Sequence, residues 1–338
     1  MLQVDNRTPY PATLAIFPSP QGVECAYAAV KLTYDLSSGR PEVSARQAGF
    51  LAQDVYWGDP ATTSLRAAAD LTLLKPSTDI MVIGRAIAPK GPVDAMQVAV
   101  SVGEVHRRLL VFGERTWERA GDSWRPGAPK PFERLPLRWE LAFGGMSRPH
   151  PDHPPESESR NPVGRGFVAS WDTQPEGLPL PCIEDPDMRI GSPHDRPEPA
   201  GLAPVTPVWF NRARHAGTYD AAWQKQRAPH LPLDFNPLFL HAAPPSLIAP
   251  RRLAGGEMVV LAGLSGGGEL RFDLPRPDLE LAFDFAGRDI QAQPLLDTIL
   301  IEPDMARLQM VWRAELVVDK RLLKLRTLYV GQGRAVSA

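Results

Sequence analysis

The chain has 338 residues, of which 43% are hydrophobic and 22% are charged, and this is the composition of an ordinary globular protein. Its formal net charge of −2 argues against a general nucleic-acid binder or a protein that adheres to anionic membranes, since both classes carry a basic surplus. Proline is in excess, because 37 residues is about twice the usual share of roughly 5%. A chain of this length forms one large β-rich unit or two ordinary domains, and no clear linker decides between them.

Targeting and redox signals are weak. The N-terminal residues lack a basic segment followed by an uninterrupted apolar run, so no Sec signal peptide is expected. No apolar run of about 18 residues occurs, which predicts the absence of a transmembrane helix. Cys25 and Cys182 lie 157 positions apart and indicate no disulfide framework, although a single disulfide between them stays open. We therefore expect a reduced, cytoplasmic protein.

Residues 1–136 contain the first predicted strands. Residues 24–35 are apolar and rich in β-compatible side chains, and they end at a turn-like Ser-Ser-Gly-Arg sequence, which predicts a core strand. Residues 60–74 look helical. A strand pattern returns at residues 79–88, and residues 96–102 and 108–112 look like a following hairpin. Three or four antiparallel strands are the simplest arrangement.

Residues 137–250 are predicted to form an ordered but irregular layer. Twenty of the prolines lie between residues 146 and 250, so neither a long helix nor a many-stranded sheet is expected there. The segment also carries many aromatic side chains, which disordered segments lack. Residues 218–227 are its one helical pattern.

Residues 251–330 contain the last predicted strands, which we expect to pack with the N-terminal strands. Residues 257–264 and 269–274 flank a glycine-rich turn at residues 265–268, where glycine accepts positive φ without strain. Further strands are predicted at residues 279–285, 298–302 and 308–317. The predicted fold class is mainly β, with antiparallel packed sheets, a long proline-rich irregular central layer and few short helices.

Two loop motifs contain groups that bind ligands in other proteins. His150, Asp152 and His153 gather imidazoles and a carboxylate, which suits a divalent ion, but their spacing matches no closed metal motif and a solvated polar loop needs no metal. Gly164 and Gly166 fit neither a Walker loop nor a dinucleotide fingerprint. A tight turn explains the two glycines more simply.

Acidic and aromatic residues in the same layer allow further readings. Glu184, Asp185 and Asp187 contain the groups of an acid–base pair, with His194 or His215 as a proton carrier. Ion pairs and turn caps are the commoner role for such carboxylates, and no nucleophile elbow is present. The four tryptophans of the layer either fix loops onto a sheet or serve as binding hot spots, with arginines stacked on their rings.

A succession of short motifs runs along the chain: Lys75-Pro76 with Asp79, Trp139-Glu140, Phe143-Gly144-Gly145, Asn161-Pro162-Val163-Gly164-Arg165-Gly166-Phe167, Glu184-Asp185-Pro186, Gly217-Thr218-Tyr219-Asp220, Arg227-Ala228-Pro229, Asp234-Phe235 and Trp312-Arg313-Ala314. Taken together, these motifs resemble the domain of unknown function 2169 family. The resemblance covers essentially the whole chain, which implies one unit over residues 1–338. The sequence departs from the family pattern at Leu141, where the family usually has a basic residue.

The resemblance implies an adaptor or chaperone that acts beside bacterial type VI secretion. Such a protein binds a toxic effector, often one with a PAAR-like tip domain, and helps to load it onto the spike protein. We accordingly expect no enzyme activity, no cofactor and no metal. The expected partners are a protein effector and the spike protein, with neither nucleic acid nor membrane. Two alternatives stay open: a structural component of the secretion particle, and a metal-dependent or carboxylate-based hydrolase using His150, Asp152, His153 and Glu184.

The candidate partner-binding or motif residues all lie in the 137–250 layer. They are Trp139, Glu140, Phe143, Gly144, Gly145, Asn161, Gly164, Arg165, Gly166, Glu184, Asp185, Trp209, Arg212, Gly217, Tyr219, Asp220, Trp223, Arg227, Asp234 and Phe235.

Overall fold

The computed structural model describes residues 2–266 and 268–332. The strands, in chain order, are β1 (Gln3–Asn6), β2 (Ala12–Pro18), β3 (Glu24–Asp35), β4 (Glu42–Val43), β5 (Val55–Tyr56), β6 (Leu65–Ala67), β7 (Asp79–Val82), β8 (Arg85–Ile87), β9 (Ala95–Val102), β10 (Val105–Phe112), β11 (Trp117–Ala120), β12 (Ser123–Pro126), β13 (Arg134–Pro136), β14 (Phe143–Gly144), β15 (Arg165–Gly166), β16 (Ile183–Glu184), β17 (Met258–Ser265), β18 (Gly268–Asp273), β19 (Leu279–Phe285), β20 (Arg288–Ala292), β21 (Leu295–Glu302), β22 (Arg307–Val317) and β23 (Leu325–Gln332). The α-helices are α1 (Phe210–Ala213) and α2 (Ala221–Gln226), and 3-10 turns lie at Trp139–Leu141, Pro237–Leu240, Pro245–Leu247, Pro303–Met305 and Leu322–Lys324. The prediction of a mainly β fold with few short helices is confirmed.

Three sheets form the framework. The first has the order β2-β3-β22-β21-β7 with β4 beside β3, the second β16-β10-β9-β17-β18, and the third β1-β23-β19-β20. Strands from both ends of the chain share each sheet, because β3 pairs with β22, β9 with β17 and β1 with β23. Most neighbours are antiparallel, whereas β1–β23 and β7–β21 are parallel. The assignment of the chain to one unit stays a prediction.

Side-chain alternation gives the first sheet two different faces. Successive side chains of a strand point to opposite sides, and Val30, Leu32, Met310 and Trp312 belong to the main hydrophobic core. The opposite side, which we call the polar face, carries the buried residues Lys31, Thr33, Gln309 and Arg313. Both cysteines are buried and free, so the disulfide that the sequence left open does not form.

The irregular layer packs into the same core as the sheets. Leu137, Trp139, Leu202 and Leu247 from this layer belong to the main cluster. A smaller cluster comprises Trp117, Phe143, Val168, Leu180 and Ile190. Large apolar side chains anchor the layer in the hydrophobic core, so it is ordered without long helices or strands. This agrees with the prediction made from its prolines and aromatic residues.

The predicted helix at residues 60–74 is wrong. This stretch forms a turn, the three-residue strand β6 and irregular backbone. The Ser64 side chain is bound by Glu140 and the Asp70 side chain by Lys31, so tertiary contacts hold the segment extended. Such contacts override a weak helix propensity. The predicted helix at residues 218–227 is confirmed as the shorter α2.

The predicted strand at residues 79–88 is two strands in different sheets. β7 ends at Val82 and pairs in parallel with β21, whereas β8 pairs with β13. Between them, the Gly84 carbonyl accepts a hydrogen bond from Leu137 N. The sequence predicted that this segment forms an antiparallel arrangement with the β9–β10 hairpin. That prediction is wrong for β7. At the other end, β17 and β18 form the expected hairpin, and residue 267 of its turn lies outside the described residues.

Candidate protein-binding surface

Asn161 joins two of the predicted motifs in the interior of the layer. Its Nδ2 donates to Trp139 O at 2.8 Å and to Phe143 O at 3.0 Å, and its backbone O accepts from Gly145 N at 2.8 Å. The side chain is fully buried. Asn161 therefore fixes the relative position of residues 139–145 and 161–166, which we call the glycine junction.

The glycines of the junction allow its two segments to approach closely. A Cβ on Gly144 would lie 2.1 Å from Asn161 O, and a Cβ on Gly164 would lie 2.5 Å from Asn161 Nδ2. Gly145 and Gly166 have φ values of 97° and 92°, which side chains rarely tolerate. Arg165 Nε donates to Glu140 O at 3.1 Å. The junction is thus a backbone contact with no space for a phosphate between its segments.

Trp139 and Glu140 connect the junction to other segments. Trp139 Nε1 donates to the carbonyl oxygens of Ala203 and Pro204, and its ring meets the Trp209 ring edge-on with centroids 5.9 Å apart. The Glu140 carboxylate accepts 2.8 Å hydrogen bonds from the backbone N and Oγ of Ser64. Both side chains act by holding neighbouring loops in place.

Glu184, the last residue of β16, and Asp185, which follows it, are both ion-paired. Glu184 is buried against Arg115, and this burial raises the pKa of Glu184 although Arg115 opposes the change. Asp185 lies 2.6 Å from Arg107 Nη1. Partial burial raises the pKa of Asp185, but hydrogen bonds from the Asp187 amide and Arg107 outweigh it and hold the pKa below its usual value. The carboxylates stabilise the β10–β16 contact in this arrangement.

The motif residues at positions 209–235 belong to a second structure, residues 208–238, which we call the lobe. Its first part is tied to the core: Trp209 is buried, and Arg212 donates from Nε to Phe239 O at 3.1 Å and from Nη1 to Val205 O at 2.8 Å. Burial lowers the pKa of Arg212. These contacts fix α1 on the framework.

The remainder of the lobe is held by a local hydrogen-bond network. Asp220 caps α2 by accepting from Trp223 N at 2.8 Å, and Trp223 Nε1 donates to His230 O at 2.9 Å. Asp234 binds the backbone N and Oγ1 of Thr218 at 3.0 and 2.7 Å. Arg227 Nη2 reaches Pro20 O at 2.8 Å. The lobe is therefore ordered before any partner binds.

Contacts between rings and backbone complete the lobe. The Tyr219 and Trp223 rings meet edge-on with centroids 4.7 Å apart, and the buried Phe235 ring lies 5.8 Å from that of Phe239. Gly217 has a φ of 83°, and a Cβ there would lie 2.9 Å from Asp234 Oδ1. Tyr219 is the exposed member of this aromatic set.

The ordered lobe exposes large apolar side chains. Val208 is 75% and Leu233 87% exposed. Five of the 15 exposed large hydrophobic residues in the described chain lie within these 31 positions: Val208, Phe210, Tyr219, Leu233 and Leu238. A third of such residues thus occurs in under a tenth of the sequence. Concentrations of exposed apolar side chains mark interaction sites in soluble proteins.

Sequence reasoning found Tyr219 but missed the other four exposed residues. The available signal was the alternation around Trp209, because a buried ring between Val208 and Phe210 turns both neighbours outward. Leu233 lies between the buried Pro232 and the Thr218-bound Asp234. In an irregular segment no sequence period separates the buried residues from the exposed ones.

The two histidines of the hydrolase hypothesis have different neighbours from Glu184. The His150 and His153 rings pack on Trp171 with centroids 4.8 Å away, whereas Glu184 is buried with Arg115 on β16. Among residues 2–266 and 268–332, no group of three or more His, Cys, Asp or Glu side chains is placed to hold a metal ion.

Lys75 and Asp79, quoted above as motif residues, form a buried network with His241. Asp79 Oδ2 accepts from Lys75 Nζ at 2.8 Å, and Asp79 Oδ1 lies 2.6 Å from His241 Nδ1. Asp79 Oδ2 also accepts from Ala242 N. The network fastens the segment after the lobe to β7.

Comparisons with known proteins identify the family without supplying an activity. No curated protein and no solved structure matches the chain. In the part of the chain that the structure describes, no helix is long and apolar enough to cross a membrane. A family model described as "Uncharacterized protein conserved in bacteria (DUF2169)" matches residues 21–313. This match covers most of the sequence, and the chain belongs to that family.

Proposed function

We propose that this protein is a cytoplasmic adaptor or chaperone that binds a type VI secretion effector and helps to load it onto the spike. The proposed partners are an effector with a PAAR-like domain and the spike protein. The observation that carries the proposal is the ordered lobe with its exposed Val208, Phe210, Tyr219, Leu233 and Leu238. The motif resemblance supplies the biological setting.

The physical chemistry of the lobe supports a role in protein binding. Aromatic residues such as tyrosine are enriched among the hot spots of protein interfaces, and exposed apolar patches mark interaction sites. A surface that is already ordered loses less conformational entropy on binding than a flexible one. Asp220, Trp223 and Asp234 hold the lobe by hydrogen bonds within the free chain. Exposed contact groups on a fixed backbone suit an adaptor.

Affinity purification of the tagged full-length protein from its native host tests the proposal. We expect mass spectrometry to find a stoichiometric effector with a PAAR-like domain, with or without the spike protein, when the secretion genes are expressed. Recovery of the protein alone under those conditions would contradict the adaptor function. A host strain that lacks the secretion genes is the control for nonspecific capture.

A further inference from the structure

A cavity of about 330 Å³ lies on the polar face of the six-stranded sheet. Its floor includes Lys31 of β3, Arg313 of β22 and Thr298 of β21. Further parts of its wall come from residues 48–72, including Gly49 and Ala68, and from Ile83 and Pro204. Small-molecule sites commonly have volumes of about 300–1,000 Å³. The cavity is separate from the lobe, whose residues 208–238 do not line it.

The cavity has an excess of positive charge. Its lining contains five cationic and three carboxylate side chains, and Asp79, which pairs with Lys75 from outside the lining, reduces the excess to one positive charge: Lys31, Arg66, Lys75, Arg307 and Arg313 against Asp70, Asp79, Asp297 and Glu302. Most of these charged groups are buried between the sheet and the residues that lie over its polar face. Buried charges require partners, so the pairing of each cation decides what the cavity still accepts.

Three of the cations have close carboxylate partners. Lys31 Nζ lies 2.7 Å from Asp70 Oδ2, Lys75 Nζ lies 2.8 Å from Asp79 Oδ2, and Arg307 Nε lies 2.6 Å from Glu302 Oε2. These pairs form a polar wall whose charges are compensated without a ligand.

Arg313 is incompletely compensated. The residue is 2% exposed, and its nearest carboxylate is Asp297, with Nε and Oδ1 3.5 Å apart. Asp297 is shared with Lys75, also at 3.5 Å. Within the described residues Arg313 Nε makes no hydrogen bond, while Nη2 donates to Asp70 O at 2.8 Å. A buried donor without an acceptor is costly, and Arg313 lines the cavity, so an anion bound there would improve the compensation of its charge.

Arg66 supplies a second cation at the same cavity. Its side chain is exposed, and the closest interaction found for its guanidinium is with the Trp57 ring, at 5.2 Å from the centroid. Among the described residues it has no carboxylate within ion-pair distance. Arginine binds oxyanions through parallel N–H donors. Arg66 therefore has no carboxylate partner in the described chain, and Arg313 shares the carboxylate of Asp297 with Lys75.

We propose that this cavity binds a small oxyanion, the chemistry shared by phosphate monoesters and small carboxylates. Arg313 is the buried anchor and Arg66 the outer contact. The small side chains of Ala67, Ala68 and Ala69 leave the space for the ligand. Walls on both sides favour a small molecule over an acidic segment of a protein. The inference is independent of the adaptor proposal.

Thermal unfolding of the full chain with added anions tests the proposal. A ligand that binds the folded state raises Tm with its concentration. Inorganic phosphate and succinate at pH 7.5, compared with chloride at equal ionic strength, should raise Tm in a saturable manner. Arg313→Gln should abolish the response but also disturbs a buried ion pair. Arg66→Gln changes an exposed side chain, so it should fold normally and weaken apparent binding at least tenfold.

Arg288→Gln is the matched control, because Arg288 is an exposed arginine of β20 outside the cavity. This variant should respond to both anions as the wild type does. The proposal is overturned if neither anion raises Tm above the chloride series, or if Arg66→Gln and Arg288→Gln respond equally. Binding of a polyglutamate peptide without any response to phosphate or succinate would likewise overturn it in favour of a protein partner.

Discussion

Asn161 is a fully buried motif residue that connects two segments of the glycine junction. Replacing it with alanine removes the donor for Trp139 O and Phe143 O. Trp139 O keeps a hydrogen bond from Ala142 N at 3.1 Å, so the variant should lower the free energy of unfolding by about 1–3 kcal/mol. Asn211→Ala is the control, since no side-chain hydrogen bond of Asn211 is found among the described residues. Urea unfolding measures both variants, and equal midpoints would contradict the role given to Asn161.

Gly201 is required by the ring of Trp139. A Cβ at Gly201 would lie 2.8 Å from Trp139 Cη2, and the ring is enclosed by the core. Gly201→Ala should therefore destabilise the protein by about 1–3 kcal/mol through overpacking. At Gly49 a Cβ would meet no atom within 4 Å, so Gly49→Ala should change stability by less than about 0.5 kcal/mol. Equal urea-unfolding midpoints for Gly201→Ala and Gly49→Ala would contradict the packing role given to Gly201.

Asp79 makes the stability of the fold depend on acid. Burial raises the pKa of Asp79, but Lys75 and the hydrogen bond with His241 outweigh burial and lower it from 3.8 to about 2. Between these values the unfolded state binds more protons, so the free energy of unfolding falls by about 2 kcal/mol as pH drops from about 4 to about 2. Above pH 4 this contribution is fully present.

Unfolding measured over a pH series tests this dependence. Asp79→Asn should be less stable at neutral pH and should lose the part of the acid dependence that this carboxyl supplies. Asp122→Asn is the control, because Asp122 is exposed in the β11–β12 turn. An acid slope unchanged by Asp79→Asn would show that Asp79 titrates normally.

Asp220 caps the N-terminus of α2, and its contribution to stability should be confined to that helix. Asp220→Ala removes the acceptor for Trp223 N, and loss of a helix cap costs about 1 kcal/mol. Because α2 is short and on the surface, the effect should be local. Hydrogen exchange of residues 221–226 should become about fivefold faster with a small change in Tm. Unchanged exchange in this segment would contradict the capping role, and Asp122→Ala should leave it unaffected.

Strands were predictable where their side chains enter a shared core. The bounds predicted for β3 and β19 agree with the structure, since long apolar runs ended by turns mark strands well. β23 was missed because Arg326 and Thr327 interrupt its apolar pattern. The helix predicted at residues 60–74 failed because Ser64 and Asp70 bind distant residues, and a single sequence does not display such long-range partners.

At the scale of the whole molecule, sequence reasoning identified the family and the region of the candidate site but not the exposed contacts. Aromatic and glycine motifs in residues 137–250 were visible as patterns. Several of them, including Trp139, Phe143 and Asn161, are buried and hold the backbone that presents other residues. The polar face of the first sheet was also not predicted. In the sequence alone Lys31 and Arg313 resemble surface residues, and the pairing of β3 with β22 brings them to the same face.

The most direct test is co-purification of the effector by lobe variants. Val208→Ser with Leu233→Ser removes two exposed apolar contacts without touching the core. Val43→Ser with Leu323→Ser is the matched control, since Leu323 is 99% and Val43 52% exposed outside the lobe. We predict that the lobe variant retains its Tm and loses stoichiometric effector, while the control captures as much as the wild type. Equal capture by both variants would contradict the assignment of the lobe as the partner-binding surface.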